Sequence, residues 1–302
     1  MTSQGAPRVV VVTRPTDYAA LVAQHGTHAM AKFFLESRGQ DIGEVRARHA
    51  RFEQVLHAVS RAIPSRWRSV RVPRAELSRF VFEPDDVVVA VGPDGLVPNV
   101  AKYLAGQRVI GVNADPERCD GVLVRHAPDR VEGVLHATIA GRVRIESRTM
   151  AEARLDDGQR LVALNEIFVG HRTHQSARYR IESTAGRERH SSSGVIVCTG
   201  TGATGWAASV GRERANPTNA PAPCASVLAF YVREAWPSGA TGTAVTSGQI
   251  AADEQLQLVS EMNDGGVIFG DGIEDDRLSF HWGVRTTIGV AHTQLQLVTA
   301  VA

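Results

Sequence analysis

The sequence is short of cysteine: Cys119, Cys198 and Cys224 are odd in number, far apart and without Cys-x-x-Cys spacing. Such usage speaks against a disulfide framework and against zinc, and suits reduced thiols in a cytosolic protein. Charge imbalance is absent too. With 33 lysines and arginines against 32 aspartates and glutamates, there is no global basic field for nucleic acid and no acidic tail, so a small-molecule partner fits better. No stretch approaches the roughly 20 apolar residues of a membrane span, and the first residues lack a basic-then-apolar signal pattern. The expectation is a cytoplasmic protein with neither membrane nor nucleic acid as partner. Internal repeats are missing, and 302 residues suffice for one large or two ordinary domains.

What the chain does have is a set of β-branched runs that end in polar or glycine-rich turns. The most informative is Val87-Val88-Val89-Ala90-Val91, followed by Gly92-Pro93-Asp94-Gly95. A strand apolar on both faces belongs in a parallel sheet, whose ligands sit beyond the carboxyl ends of the strands. Glycines there let backbone N–H groups approach a polyphosphate, and a carboxylate can take the proton of an attacking hydroxyl. Pro-Asp-Gly is equally a common turn tripeptide, and the nine residues alone favour that reading.

Around this strand the pattern alternates as in α/β units. Strands are expected at 8–12, 69–72, 87–91 and 109–112. Helices are expected at 27–38, with Met30, Phe33 and Phe34 inward and Gly39 closing it, at 42–63, and near 97–104. One further helix, with Asp129 as N-cap, precedes strand-like segments at 142–149, 160–169, 177–183, 194–198, 225–233, 256–260, 278–282 and 293–299. Glycine-rich turns separate them. Val267-Ile268-Phe269-Gly270-Asp271-Gly272 reads as a turn, and residues 212–223 read as a loop. The organisation expected is an α/β doubly wound nucleotide-binding domain over 1–128 and a β-rich domain over 129–302.

Three more motifs bear chemistry. Asn165-Glu166 interrupts an apolar run, so its groups need partners, either loop amides and an arginine or a ligand. Gly111-Val112-Asn113 ends a strand on the side of Asp94. Thr199-Gly200-Thr201-Gly202-Ala203-Thr204-Gly205-Trp206 follows the strand Val195–Cys198 and leads either into a helix capped by Thr204 or into an anion or ribose site.

In this order and spacing the motifs resemble those of the NAD kinase family: a Gly-Gly-Asp-Gly-Thr loop, a Gly-Val-Asn strand end, an Asn-Glu pair and a Thr-Pro-Thr-Gly-Ser-Thr-Ala-Tyr turn. The resemblance covers about residues 80 to 210. It departs at Pro93, Leu96 and Ser193, and at Ala203-Thr204-Gly205-Trp206, where tryptophan replaces tyrosine. It implies phosphorylation of the 2′-hydroxyl of the adenosine ribose of NAD, giving NADP, with ATP or polyphosphate as donor and Mg2+ accompanying it. Asp94 would be the catalytic base, and Gly92 and Gly95 would shape the phosphate loop. Asn113, Asn165, Glu166, Thr201, Thr204, Gly205 and Trp206 would bind the dinucleotide. It further implies a homodimer or homotetramer and a last strand returning to the first domain. The alternatives are a kinase of the same superfamily acting on a sugar or lipid hydroxyl, and a catalytically silent NAD(P)-binding regulator.

Overall fold

A computed structural model describes residues 7–118, 120–214 and 219–302. Cys119 and part of the loop expected at 212–223 lie outside the described residues. The chain divides into two compact units, residues 1–146 with 296–302, and residues 147–295.

In the first unit, β1 (Arg8–Thr13) is followed by α1 (Asp17–His25), α2 (His28–Glu36), α3 (Ile42–Ala62) and β2 (Arg68–Pro73). Then come β3 (Val87–Gly92), α4 (Leu96–Ala101), β4 (Arg108–Asn113), α5 (Val131–Ile139) and β5 (Val143–Arg148). The sheet order is β2-β1-β3-β4-β18-β5, where β18 is Leu295–Val301. Strands β2, β1, β3, β4 and β18 run parallel. Val87 to Val91 are all buried, as a strand covered on both faces requires. Because β5 belongs to this sheet, the division falls after Glu146 rather than after Pro128.

Several local expectations need correction. Helix α1, capped by Thr16, was not among the expected helices. On α2 the buried residues are Ala31 and Leu35, while Met30 and Phe33 are 55% and 69% exposed. The side facing α1 and α3 is the Ala31–Leu35 ridge, four residues apart, and Met30 and Phe33 fall outside it. Gly39 closes this helix at φ 69°, with Gly39 N–H donating to Glu36 and Gln40 N–H to Leu35. Asp129 is no N-cap: it sits in a 3₁₀ turn, and the α-helical part starts at Val131 without a side-chain cap.

The second unit packs two antiparallel sheets on one core. Its first strands are β6 (Ala151–Leu155), β7 (Arg160–Ala163), β8 (Glu166–His171), β9 (Ala177–Ser183), β10 (Gly186–Ser192) and β11 (Val195–Cys198). After α6 (Trp206–Arg212) follow β12 (Val227–Val232), β13 (Ser247–Ala251), β14 (Leu256–Ser260), β15 (Gly266–Gly270), β16 (Ile273–Ser279) and β17 (Arg285–Val290). One sheet is ordered β10-β9-β14-β17-β6-β7, the other β13-β12-β11-β8-β15-β16. Tyr179, Ile181, Leu258 and Ile288 from the first meet Ile167, Val197, Phe230 and Ile268 from the second.

The single strand expected at 160–169 is two, β7 and β8, in different sheets. Of its polar interruption, Asn165 forms the corner between them together with Leu164, and Glu166 begins β8. Val267–Gly270 is strand, not turn, with only Asp271-Gly272 turning, at φ 54° and 67°. Strands β6, β10, β13 and β17 were not expected. β10 has the sequence Gly-Arg-Glu-Arg-His-Ser-Ser, a polar edge strand that apolar periodicity does not reveal.

Candidate functional site

The first cluster lies at the carboxyl ends of β1, β3 and β4. Gly92 leaves β3 at φ 154°, which an L side chain rarely adopts. Pro93 accepts the N–H of Leu96 at 2.9 Å, and Asp94 accepts that of Val97 at 3.1 Å, starting α4. The Asp94 carboxylate is turned onto a single segment: Oδ1 accepts from Leu123 N (2.8 Å) and Val124 N (3.0 Å), and Oδ2 from Val122 N (3.1 Å). This segment crosses β4 so closely that a Cβ on Gly111 would stand 2.1 Å from the Leu123 carbonyl oxygen. Glycine at 111 therefore serves chain crossing, whatever else it does. Gly95, by contrast, has an ordinary φ of −63° and open space where a Cβ would point.

Asn113 ends β4, and its Oδ1 accepts from Asp115 N at 3.0 Å. Beside it opens a cleft of about 330 Å³ lined by Gly92, Pro93, Asn113 and three arginines, Arg14, Arg48 and Arg118. Arg48 reaches Asp17 at 3.7 Å. No ion pair holds Arg14 or Arg118 among the described residues. The cleft is walled by Phe52 and Val45 and also lined by Asp17 and Asp115, and guanidinium groups are the side chains that pair bidentately with phosphate oxygens. These arginines were missed from sequence. Arg14 does follow a parallel strand directly, where ligand contacts are delivered, and Arg48 falls on the same face of α3 as Val45 and Phe52, a charge within an apolar stripe.

The second cluster belongs to the other unit. The corner at Asn165 is braced by Asp271, whose carboxylate accepts from Leu164 N (2.8 Å), Asn165 N (2.7 Å) and Glu166 N (3.3 Å). In return Asp271 N donates to Glu166 O at 3.0 Å. Thr199 locks the other side, its hydroxyl donating to Leu164 O (2.5 Å) and its N–H to Asn165 O (2.9 Å). Thr201 N and Gly202 N donate back to that hydroxyl at 3.1 and 3.3 Å. A Cβ on Gly202 would stand 2.1 Å from Asn165 O. The motif glycine is thus where two functional-looking segments touch. Thr201 Oγ1 accepts from buried Arg148 at 3.3 Å.

Thr204 is exposed and makes no cap; α6 starts at Gly205 without a side-chain cap, and Thr204 Oγ1 donates to Thr201 O at 3.5 Å. Trp206 stacks on Phe168 with centroids 5.5 Å apart, and Arg233 lies over the indole at 5.2 Å. Burial, helped by the nearby Asp271 charge, pushes Glu166 up to about 7. Burial, with a contribution from Glu166, pushes the Cys198 thiol up to about 12. Among the described residues no group of three or more His, Cys, Asp or Glu could hold a metal ion.

Asp94, Gly92, Gly95 and Asn113 thus gather in one unit, and Asn165, Glu166, Thr201, Thr204, Gly205 and Trp206 in the other. No family model matches the chain. The NAD kinase of Heliobacterium modesticaldum is 35% identical over 141 residues, 44% of this chain and 48% of its own. That of Methylococcus capsulatus is 32% identical over 173 residues, 54% of this chain and 56% of its own. Mitochondrial NAD kinase 2 of Rattus norvegicus is 27% identical over 259 residues, 69% of this chain and 61% of its own.

The chain is similar in sequence to NAD kinases over about half of its length. It spans about half the length of the curated relatives it matches. Its fold is theirs: the crystal structure of an NAD kinase from Archaeoglobus fulgidus in complex with ATP matches with a TM-score of 0.59 at 17% identity, over 96% of this chain and 93% of that one. Yeast NADH kinase complexed with NADH matches at 0.58 and 14% identity, over 98% and 84%. Where this chain departs from the motifs of the NAD kinase family, the departures sit apart: Pro93 lines the cleft, whereas Leu96 is fully buried at the start of α4. No helix is long and apolar enough to cross a membrane.

Proposed function

We propose that this protein is an NAD kinase, transferring a phosphoryl group to the 2′-hydroxyl of the adenosine ribose of NAD. The observation that carries the reading is the arginine-lined cleft beside Gly92, Pro93 and Asn113, because phosphoryl transfer asks of a protein mainly charge neutralisation and positioning. Arg14, Arg48 and Arg118 would take the donor's phosphates. Asp94 Oδ2, which receives one amide where Oδ1 receives two, is the oxygen available for the hydroxyl proton. The braced Asn165-Glu166 corner would hold the acceptor's hydroxyls, Thr201, Thr204 and Gly205 would contact the dinucleotide, and Trp206 would stack on it.

The relatives' names and the ATP and NADH complexes of the neighbours support these substrates. Among the described residues no cluster of three or more carboxylates, histidines or cysteines stands near the cleft. Mg2+ would accompany the donor on phosphate oxygens. A cytoplasmic location and a homodimer or homotetramer belong to the same proposal.

Purified protein incubated with ATP, Mg2+ and NAD, with NADP followed by a specific dehydrogenase, is the test. NADP formation supports the reading. Turnover of sugar or lipid alcohols alone, or tight dinucleotide binding without turnover, replaces it by one of the alternatives. A second reading of Asp94 has its own observation: three amides on one carboxylate are also what a purely structural brace looks like.

A further inference from the structure

A second cavity is lined by none of the residues of the two clusters above. It is a trough of about 490 Å³ on the outward face of the β10-β9-β14-β17-β6-β7 sheet. Strand register explains its shape. Gln257 of β14 stands opposite Thr287 of β17 and Glu182 of β9, and Thr287 stands opposite Arg154 of β6. One step along, Val259 stands opposite Arg285 and Arg180. Strand β14 thus presents the uncharged Gln257 and Val259, and β17 presents Thr287 beside Gln257 and Arg285 beside Val259. Guanidinium arms stand on either side, Arg180 and Arg187 on one and Arg154 and Arg285 on the other, with the carboxylates of Glu182 and Asp156 also in the lining. Side chains two residues apart share a face, and neighbouring strands lie about 4.8 Å apart, so the arms frame a floor roughly 10 Å wide.

Not all of these arginines are committed. Arg187 pairs with Glu182 at 2.5 Å and Arg154 with Glu152 at 3.0 Å, while Arg180 reaches Glu261 only at 3.6 Å. Among the described residues Arg285 has no ion pair. The Arg154, Arg180 and Arg187 side chains are exposed, at 55%, 57% and 71%, while Glu152 and Glu261, at 11% and 12%, keep second partners in Arg160 and Arg189, so Arg154 and Arg180 can turn to another anion without leaving a carboxylate unpaired. Arginine's fork matches phosphate oxygens bidentately. The volume suits a small ligand. No aromatic ring lines the trough, so it offers nothing for a base to stack on.

We propose that this trough is a second anion site, which binds an oligophosphate chain through its phosphates alone. It is independent of the kinase reading, since none of its residues belongs to the clusters described above.

Inorganic tripolyphosphate is the probe, titrated calorimetrically at low salt. To silence the other cleft, the Arg14→Gln/Arg118→Gln protein is used as background. Expected is retained tripolyphosphate binding there that weakens as salt rises, and a loss of about tenfold or more in affinity when Arg180→Gln and Arg285→Gln are added. Gln257→Glu, which places a charge on the floor without removing any arginine, is expected to weaken binding in the same direction. NADP formation by Arg180→Gln/Arg285→Gln in the otherwise native protein should be unchanged. Absence of binding in the background protein, or binding indifferent to the trough substitutions, overturns the proposal. So does ATP binding there tenfold tighter than tripolyphosphate, which would mean a base is read. Concentration-dependent self-association abolished by Arg180→Gln/Arg285→Gln overturns it in favour of a contact between two copies of the chain.

Discussion

The two units carry the same small device in different company. In the first, Asp94 receives the consecutive N–H groups of Val122, Leu123 and Val124; in the second, Asp271 receives those of Leu164, Asn165 and Glu166. Each carboxylate pins a turn that is remote in sequence, and each stands next to a glycine. What differs is what the pinned turn faces. Beside the Asp94 loop lie three arginines and open volume. At the Asp271 corner lies another carboxylate, Glu166, which burial and the Asp271 charge push up to about 7, so that it is close to half protonated at neutrality. Backbone capture by a carboxylate is therefore a general means of shaping a turn, and its surroundings decide whether chemistry can follow.

The largest expected effect separates the two aspartates. Asp94→Asn should lower turnover by roughly 10²–10⁴-fold if its carboxylate also accepts the hydroxyl proton, with about 1–3 kcal/mol lost from stability because an NH2 would face an N–H donor. Turnover per folded molecule, together with a denaturant titration, checks both; unchanged turnover in a folded variant reduces Asp94 to a brace. Asp271→Asn should show the same stability loss of about 1–3 kcal/mol but leave turnover at saturating NAD within roughly tenfold. If both variants lose turnover alike, the contrast between the units fails.

Next in size, Asn165→Ala and Glu166→Gln should each raise the KM for NAD by an amount worth roughly 1–3 kcal/mol, with the KM for ATP little changed. The reverse pattern would exchange the roles of the two clusters. A smaller effect concerns pH. Glu166 holds its proton more tightly folded, at about 7, than at its ordinary 4.5, so the neutral form's contribution is complete below about 4.5 and is lost as pH rises through 7. Urea midpoints measured across this window should fall with pH in wild type and flatten in Glu166→Gln. Smallest of all is Gly95→Ala: with φ −63° and nothing near its would-be Cβ, turnover should stay within about twofold, whereas Gly92→Ala, at φ 154°, should destabilise by roughly 1–3 kcal/mol. Thermal midpoints of the pair decide this.

The sequence by itself determined the parallel sheet, because runs such as Val87–Val91 leave no polar face, and it marked where that sheet's strands end. It also placed the Asn165-Glu166 interruption, since two polar residues in an apolar run need an explanation whatever the fold. It misplaced Met30 and Phe33, because a helix with apolar residues on several sides does not say which side its neighbours will cover. It left β10 unread, because a strand at a sheet edge buries too little to show a period. Only tertiary structure could decide that residues 160–169 turn a corner between sheets, that Gly111 and Gly202 are glycines because another chain segment crosses there, and that Arg14, Arg48 and Arg118 converge. Those facts depend on contacts between residues tens to more than a hundred positions apart. Local periodicity records which face of a segment is buried, but not which distant backbone buries it.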